Sequence, residues 1–387
     1  MSHNKLVVVT SYPIHSEPAI RNRLSSYFRE LSNAGWQIHL VTPESGPEGR
    51  TEQTVPFGVA AVRYVEPSQY DRQHLVSRGL NEIRMAQRLL RVASRVRADA
   101  MLLTVPSLFL LLFVFQKKRR LNIVDVRDLV WEYLPDYPHW QRAVKYILGT
   151  FATFSLRKSD IITASNPKEV DYLEAKVSNS KILLVSNGIG KEQYEAISSI
   201  EPLPGNNDRL HITYIGNVGL AQNLTTIVRA IANYPQFELN IIGTGTDYKN
   251  VQAEIEKLKA SNVYLHGRVP WNQVLKWYAR SDVLYAQVSG SYSTAMPSKL
   301  YEYLATGLPI VYGGHGAGAE IVQEFENVEV IPPDSPKELR RVLVDMFQQG
   351  QVAPSRANIE KIGNEYIRED QVAVLVEEMA RIRDTEV

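Results

Sequence analysis

Ser298, Lys299 and Glu302 fall within about one helical turn of each other in the run 294–314, T-A-M-P-S-K-L-Y-E-Y-L-A-T-G-L-P-I-V-Y-G-G. Pro297 and Ser298 suit a first turn and an N-cap, residues 299–305 are helix formers, and Gly307 with Pro309 stops the helix. A helix start leaves backbone N–H groups without intrahelical partners and carries the positive end of the helix dipole. With Lys299 beside it, such a start favours an anion, most simply a phosphate. Glu302 lies too far along to oppose that anion strongly, yet near enough to accept hydrogen bonds from hydroxyls attached to it, such as those of a ribose. The combination describes a nucleoside diphosphate site, although an ordinary capped helix of an α/β protein accounts for this stretch alone equally well.

Further chemistry-bearing residues sit where strands end. Asp128 and Glu132 follow an apolar strand expected at 121–126, and in open α/β sheets ligands bind beyond the carboxyl ends of strands. They are candidates for acid/base work or for sugar-hydroxyl contacts, joined by His139 in the Pro- and Tyr-rich loop 133–140, though each residue alone more often serves structure. Glycine loops at Gly216, Gly243 and Gly313 would gather at the carboxyl edge of one parallel sheet, where backbone can approach a phosphate or sugar closely. No Walker sequence, nucleophile elbow or transferable His-Glu metal spacing is present. The loop 11–19 has no G-x-G-x-x-G, which disfavours a dinucleotide-dependent dehydrogenase.

These residues need strands and helices in alternation to hold them. A strand at 5–10, a helix at 20–34 and a strand at 37–42 open the chain as a βαβ unit, and strands at 100–105, 121–126, 161–164 and 182–185 continue it. After the flexible crossing S-N-G-I-G at 186–190 the alternation restarts, with strands at 211–215, 238–242, 263–266, 283–286, 310–312 and 328–331. A chain of 387 residues exceeds what one hydrophobic core fills. The expected organisation is a domain at 1–188, a second at 189–355, and C-terminal helices at 356–387 that pack back toward the first.

Composition narrows the setting. There are no cysteines, which excludes disulfides, thiolate metal sites and a cysteine nucleophile, and points to a reducing cytoplasm or the cytoplasmic face of a membrane. The N-terminus enters a strand without a signal-peptide pattern. Net charge is +1, but residues 1–188 hold 25 basic against 17 acidic side chains and residues 189–387 hold 18 against 25. A basic first half suits an anionic partner such as a membrane surface or a phosphorylated acceptor, while a nucleic-acid binder would be more basic overall. The helical pattern at 78–97 stacks Arg84, Arg88, Arg91 and Arg95 opposite an apolar face, the signature of a membrane-surface helix or, more commonly, of a helix covering a sheet. The apolar run 101–115 before Lys117, Lys118, Arg119 and Arg120 has 15 residues, short of the ~20 needed to span a bilayer, and Pro106 divides it.

At this point the chain resembles the retaining GT-B glycosyltransferases, specifically glycosyltransferase family 4, over nearly its whole length. Its most specific stretch, P-S-K-L-Y-E-Y-L-A-T-G-L-P-I-V, is similar to that family's P-S-K-x-x-E-x-x-A-x-G-x-P-V signature around the second glutamate of its E-x7-E motif. Y-I-G-N at 214–217, I-G-T-G at 242–245, V-S-N-G-I at 185–189 and D-V-R-D-L at 125–129 support it. The resemblance implies an α/β fold of GT-B type, two Rossmann-like domains with parallel sheets facing across a cleft. It implies a nucleotide diphosphate sugar as donor substrate, no cofactor and no metal, a glycan or lipid-linked acceptor, peripheral membrane contact and no nucleic acid. Glu302 would bind the donor ribose, the backbone of Ser298 to Leu300 with Lys299 would cradle the diphosphate, and Gly216, Asn217 and Gly243 would lie close to the phosphates. The sugar would move with retention through a front-face, oxocarbenium-like step assisted by the leaving phosphate.

This chain departs from the pattern at several positions. The first glutamate of E-x7-E falls on Thr294, and the Arg and Lys that often follow the first strand of the second domain are replaced by Asn217 and by Gln222 or Asn223. Arg268 is the cation nearest to taking their place. The glycine-rich loop after the first strand is replaced by S-E-P-A at 16–19, and the hinge motif's terminal Asp by Gly190. Two other readings therefore stand beside a transferase: a GT-B-fold nucleotide-sugar epimerase, and a non-catalytic sugar-nucleotide binder.

Overall fold

The computed structural model describes residues 4–15, 18–44, 55–66, 75–105, 107–111, 120–132, 139–203, 208–290 and 297–385. The chain divides into two compact units, Met1–Asn187 with Arg368–Val387, and Gly188–Ile367.

Unit 1 is a parallel sheet of seven strands, β1 (Lys5–Thr10), β2 (Gln37–Pro43), β3 (Val59–Val65), β4 (Ala100–Val105), β5 (Leu121–Val126), β6 (Ile161–Ala164) and β7 (Lys181–Leu184), in the order β3-β2-β1-β4-β5-β6-β7. Alternate residues of the central strands point to opposite faces, so the continuous apolar runs of β1, β4 and β5 need cover on both sides. On one face Val7, Val9, Leu103 and Val124 pack with Ala86, Leu89 and Ala93 of α2 (Leu75–Ser94). On the other, Leu6, Val8, Leu102 and Ile123 pack with Leu24, Phe28 and Leu31 of α1 (Pro18–Asn33) and with Val372, Leu375 and Met379 of the last helix. Helices α3 (His139–Leu156) and α4 (Pro167–Lys176) complete the outer layer. In α4, Asn166 accepts from the Glu169 N–H while the Glu169 carboxylate accepts from Ser165 N and Oγ, a reciprocal cap that the sequence reading did not place. The edge strand β3 was likewise not anticipated.

Unit 2 holds β8 (Leu210–Ile215), β9 (Phe237–Ile242), β10 (Val263–Gly267), β11 (Val283–Gln287), β12 (Ile310–Gly313) and β13 (Val328–Ile331), all parallel, in the order β10-β9-β8-β11-β12-β13. The order turns back between β8 and β11, the switch point at which such sheets bind ligands. Its helices are α5 (Lys191–Ser198), α6 (Thr225–Ile231), α7 (Tyr248–Leu258), α8 (Trp271–Ala279), α9 (Ser298–Thr306), α10 (Gly316–Val322), α11 (Pro336–Gln349) and α12 (Arg356–Glu365); α13 (Arg368–Thr385) returns to unit 1 against α1.

The two terminal helices thus belong to different units instead of forming one 356–387 segment. α12 is tied to unit 2 because Ser355 caps it, accepting from Asn358 N, and donates its own N–H to Gly307 O at 2.8 Å, while Asn358 Nδ2 donates to Glu326 O at 2.7 Å. α13 is tied to unit 1 through Arg368, which donates to Asn187 O at 2.7 Å, and through Gln371, which accepts from Ser186.

Among the described residues no helix is long and apolar enough to cross a membrane. Of the run 101–115, Pro106 and residues 112–115 lie outside the described residues, as do Lys117, Lys118 and Arg119. Arg84, Arg88, Arg91 and Arg95 are exposed, and Ala86, Leu89, Leu90 and Ala93 opposite them are buried in the core of unit 1, so α2 covers the sheet.

Candidate functional site

In unit 2 the loops after β8 and β9 lock into each other. Gly216 N donates to Ile242 O at 3.0 Å, Val218 N to Thr244 O at 3.0 Å, and Asp247 N to Val218 O at 2.9 Å. This approach requires glycine at 243, where φ is +151° and a Cβ would fall on the Gly216 carbonyl oxygen. Gly216 is half-buried and Asn217 exposed, so the loop pair offers backbone and one amide side chain to solvent at the carboxyl edge. Arg268, exposed, follows the end of β10, whose Gly267 carbonyl accepts from Gly243 N at 2.7 Å. It therefore flanks the same loops.

α9 starts on its expected cap, one residue earlier than expected. Pro297 is the N-cap in extended conformation, with no side chain capping the helix, and Ser298 is the first helical residue. A proline cap has no side-chain oxygen with which to satisfy the first N–H groups, so they stay available to a ligand. Leu300 is buried and donates its N–H to Pro297 O. The helix is anchored by Tyr303, whose hydroxyl accepts from Ile215 N at 2.7 Å and donates to Ile215 O at 3.2 Å. That clamp ties α9 to the residue immediately before the Gly216 loop.

Lys299 and Glu302 are also closer to each other than the sequence reading supposed. Lys299 Nζ bonds Glu302 Oε2 at 2.7 Å and stands 5.5 Å from the Trp271 ring centroid, and Tyr278 OH donates to the same carboxylate oxygen at 3.3 Å. Glu302 is 6% exposed. Both bonds fall on Oε2, which leaves Oε1 able to accept from the hydroxyls of a ligand. Burial, and then the neighbouring Glu302, pushes the Tyr278 hydroxyl far above its ordinary range, so it stays a donor at any physiological pH.

A buried amide that sequence reasoning missed supports these loops from beneath. Gln287, at the end of β11 and 2% exposed, donates through Nε2 to the carbonyls of Gln222 and Asn223 and to Asp334, and accepts from Tyr285 OH and Asp334 N. Asp334 in turn holds Asn223 at 2.6 Å and Ser289 at 2.8 Å. A polar residue ending an apolar strand was the only signal in the sequence. Thr294 lies outside the described residues. A cavity of about 520 Å3 in unit 2 opens at the opposite sheet edge, among Leu210, Val283, Pro309 and Asn327, and takes no part in this arrangement.

In unit 1 the three expected residues have separate surroundings. Asp128 is half-buried just after β5, and His139 is exposed as the first residue of α3. Glu132 ends a single 3-10 turn and is committed to its neighbours, accepting from Tyr172 OH at 2.7 Å and pairing with Lys145 at 3.2 Å. It therefore bridges α3 and α4. Burial and the Glu132 contact push the Tyr172 hydroxyl up to about 12. Deeper in the sheet Asp125, fully buried, is bonded by Arg23 at 2.6 Å, Tyr27 at 3.0 Å and Thr163 at 2.7 Å. Among the described residues no three His, Asp or Glu side chains converge as a metal site.

Two Rossmann-like units, the second carrying interlocked glycine loops and an uncapped helix start on one sheet edge, define the GT-B class. Residues 196–366 match the family model of glycosyl transferases group 1, and residues 19–188 match that of the glycosyl transferase 4-like domain, so the chain is a glycosyltransferase of GT-B fold. Solved structures share the fold at low identity. Sucrose-phosphate synthase from Thermosynechococcus elongatus aligns with a TM-score of 0.73 at 15% identity, over 99% of this chain and 100% of that one. Anabaena HepE in complex with UDP and glucose aligns at 0.67 and 12%, over 97% and 99%. The lipopolysaccharide outer core galactosyltransferase WaaB aligns at 0.61 and 13%, over 99% and 100%. No curated protein matches the sequence significantly.

Proposed function

We propose that the protein moves a hexose-type sugar from a nucleoside diphosphate sugar to a hydroxyl acceptor with retention, in the synthesis of a cell-surface polysaccharide or glycolipid. The observation that carries this reading is the meeting of the uncapped start of α9, the buried Glu302 and the Gly216 and Gly243 loops at one sheet edge. The HepE structure with UDP and glucose supports the ligand class.

In this reading Glu302 Oε1 accepts from the ribose, and the N–H groups at 298–299 face the diphosphate. Lys299 exchanges its Glu302 contact for the β-phosphate, while Gly216, Asn217, Gly243 and Arg268 border the phosphates. Thr294 stands where the related enzymes place a sugar-contacting carboxylate. As the bond between the anomeric carbon and the diphosphate oxygen stretches, positive charge grows on the sugar and negative charge on the leaving phosphate. The helix dipole and Lys299 stabilise the latter without a metal ion. The acceptor oxygen bonds the anomeric carbon on the face the diphosphate leaves, and its proton passes to the departing phosphate oxygen. Unit 1 presents the acceptor, with Asp128 and His139 as hydroxyl contacts.

Thermal melting with UDP, GDP, ADP and their sugar conjugates tests the donor site. A ligand at about 100 times its Kd adds about 2.7 kcal/mol and is expected to raise the melting temperature by roughly 5 °C or more. Indifference to every nucleotide would refute the reading. Binding without transfer would make the chain a binder, and a free epimer formed without acceptor would make it an epimerase.

We further place the enzyme in the cytoplasm, at the membrane face. α3 exposes Tyr146, Ile147 and Phe154 at 76%, 63% and 56%, beside Arg142, Lys145 and Arg157, whereas the apolar side of α2 is buried in the core. Large apolar side chains on a cation-flanked helix suit an anionic bilayer surface. Changing all three to serine should lower co-sedimentation with phosphatidylglycerol vesicles about tenfold or more, since each buried apolar side chain contributes on the order of 1 kcal/mol. Undiminished co-sedimentation would locate membrane contact elsewhere.

A further inference from the structure

β1, β4 and β5 are neighbours in the sheet of unit 1, and near their carboxyl ends three buried side-chain atoms have no hydrogen-bond partner: Ser11 Oγ, Thr104 Oγ1 and Arg127 Nε. Thr104 is in register with Thr10 on one side and Asp125 on the other, so the three form a polar row across the sheet. Ser11 lies just past β1, one residue after Thr10, and Arg127 just past β5, two residues after Asp125. Arg23 in the same cluster has a partner at each nitrogen, bonding Asp125, the Ser186 carbonyl and Tyr27. Arg127 forms no ion pair among the described residues. Burial and then repulsion from Arg23 hold its pKa below an arginine's ordinary value, and the attraction of Asp125 and Asp128 only partly offsets them.

Arg127 is half-buried, and its buried Nε, next to another arginine and lacking a bonded carboxylate, is destabilising unless something anionic completes it. The two hydroxyls without partners, at the ends of the neighbouring strands, are in the same position. All three stand where open α/β sheets take ligands. We propose that Arg127, with the Ser11 and Thr104 hydroxyls, forms an oxyanion subsite in unit 1 that seats a phosphate or carboxylate carried by the acceptor. The anion site stands on its own geometry; calling its occupant the acceptor rests on the transferase reading. The planar fork of Arg127 matches either group, and the hydroxyls turn to donate to it. The acceptor is then a phosphorylated or uronic-type sugar and not a neutral one.

The full chain is melted with UDP, GDP and ADP present throughout, so that the donor site of unit 2 is occupied, and with glucose 6-phosphate, glucuronate or glucose added. At least one of the two anionic probes should raise the melting temperature while glucose does not, and the probe that acts distinguishes phosphate from carboxylate. Arg127→Met should weaken that probe by about tenfold or more, and should itself melt higher than the wild-type chain in the absence of probes, because an unpaired cation has been removed. Arg127→Lys, which keeps the charge, should retain part of the response even if the methionine variant folds poorly. No response to either anion, a response undiminished in both variants, or equal response to glucose would overturn the subsite. If the nucleotides fail to stabilise the chain but an anionic probe succeeds, the subsite stands and the donor reading falls.

Discussion

Glu302→Ala is expected to lower kcat/KM for the donor by roughly 10²–10³, the loss of two charge-assisted hydrogen bonds at about 1.5–3 kcal/mol each, partly offset by relaxation. The carboxylate is 6% exposed and held from one side by Lys299 and Tyr278, so its free oxygen has a fixed direction. A ribose meeting it pays little to orient the acceptor group. Glu302→Gln keeps an oxygen of the same shape but gives up the charge, and should fall between the two, about tenfold below wild type. The alanine variant also frees Lys299, which strengthens attraction for the diphosphate and sets an upper limit to the loss. Steady-state kinetics over a donor series read this directly, with the melting temperature as control: Tyr278 loses an acceptor, which should lower stability by about 1–2 kcal/mol without unfolding the chain. Unchanged kcat/KM in Glu302→Ala would remove Glu302 from the donor site.

The same residues show how far a sequence carries such an argument. Strands β1 and β12 were legible because a strand buried on both faces is nearly apolar throughout, and period and composition then agree. Gly243 was legible as a loop glycine, but its reason, a collision with the Gly216 carbonyl, depends on two strands 27 residues apart lying side by side. The start of α9 shifted by a residue because proline's fixed backbone serves an N-cap as readily as a first turn, and local preference does not separate the two. The pairing of Lys299 with Glu302 was present in their i,i+3 spacing, yet whether they bond each other or a ligand is decided by Tyr278 and Trp271 on another helix. Gln287 and Asp334 gave almost no signal, since a side chain that braces three loops differs from a solvated one only in its surroundings. The bond between Arg23 and Asp125 spans 102 positions and leaves no periodic trace.

That buried pair should dominate the stability of unit 1. Asp125 receives Arg23 through both Nε and Nη2, together with Tyr27 and Thr163, so all its donors are already oriented. Asp125→Asn leaves a guanidinium that is 2% exposed without its counter-charge, and is expected to destabilise the chain by about 3–5 kcal/mol in denaturant unfolding. Burial alone would raise the Asp125 pKa, but the Arg23 contact outweighs it and holds the carboxyl below its ordinary range. Its contribution is therefore fully present above the ordinary carboxylate pKa of about 4 and is lost as pH falls through the depressed folded value. Glu169 behaves oppositely: burial pushes it up to about 7, so its contribution is present below the ordinary carboxylate range and fades as pH rises toward 7. The stability difference between wild type and Asp125→Asn should therefore shrink in acid, as the wild-type carboxyl is protonated. Arg23→Met should be similarly damaging, and the double variant less than additive, because Tyr27 and Thr163 stay unsatisfied while the charges are gone together. A difference under about 1 kcal/mol at neutral pH, or one that does not shrink in acid, would show that the pair does not hold this sheet together.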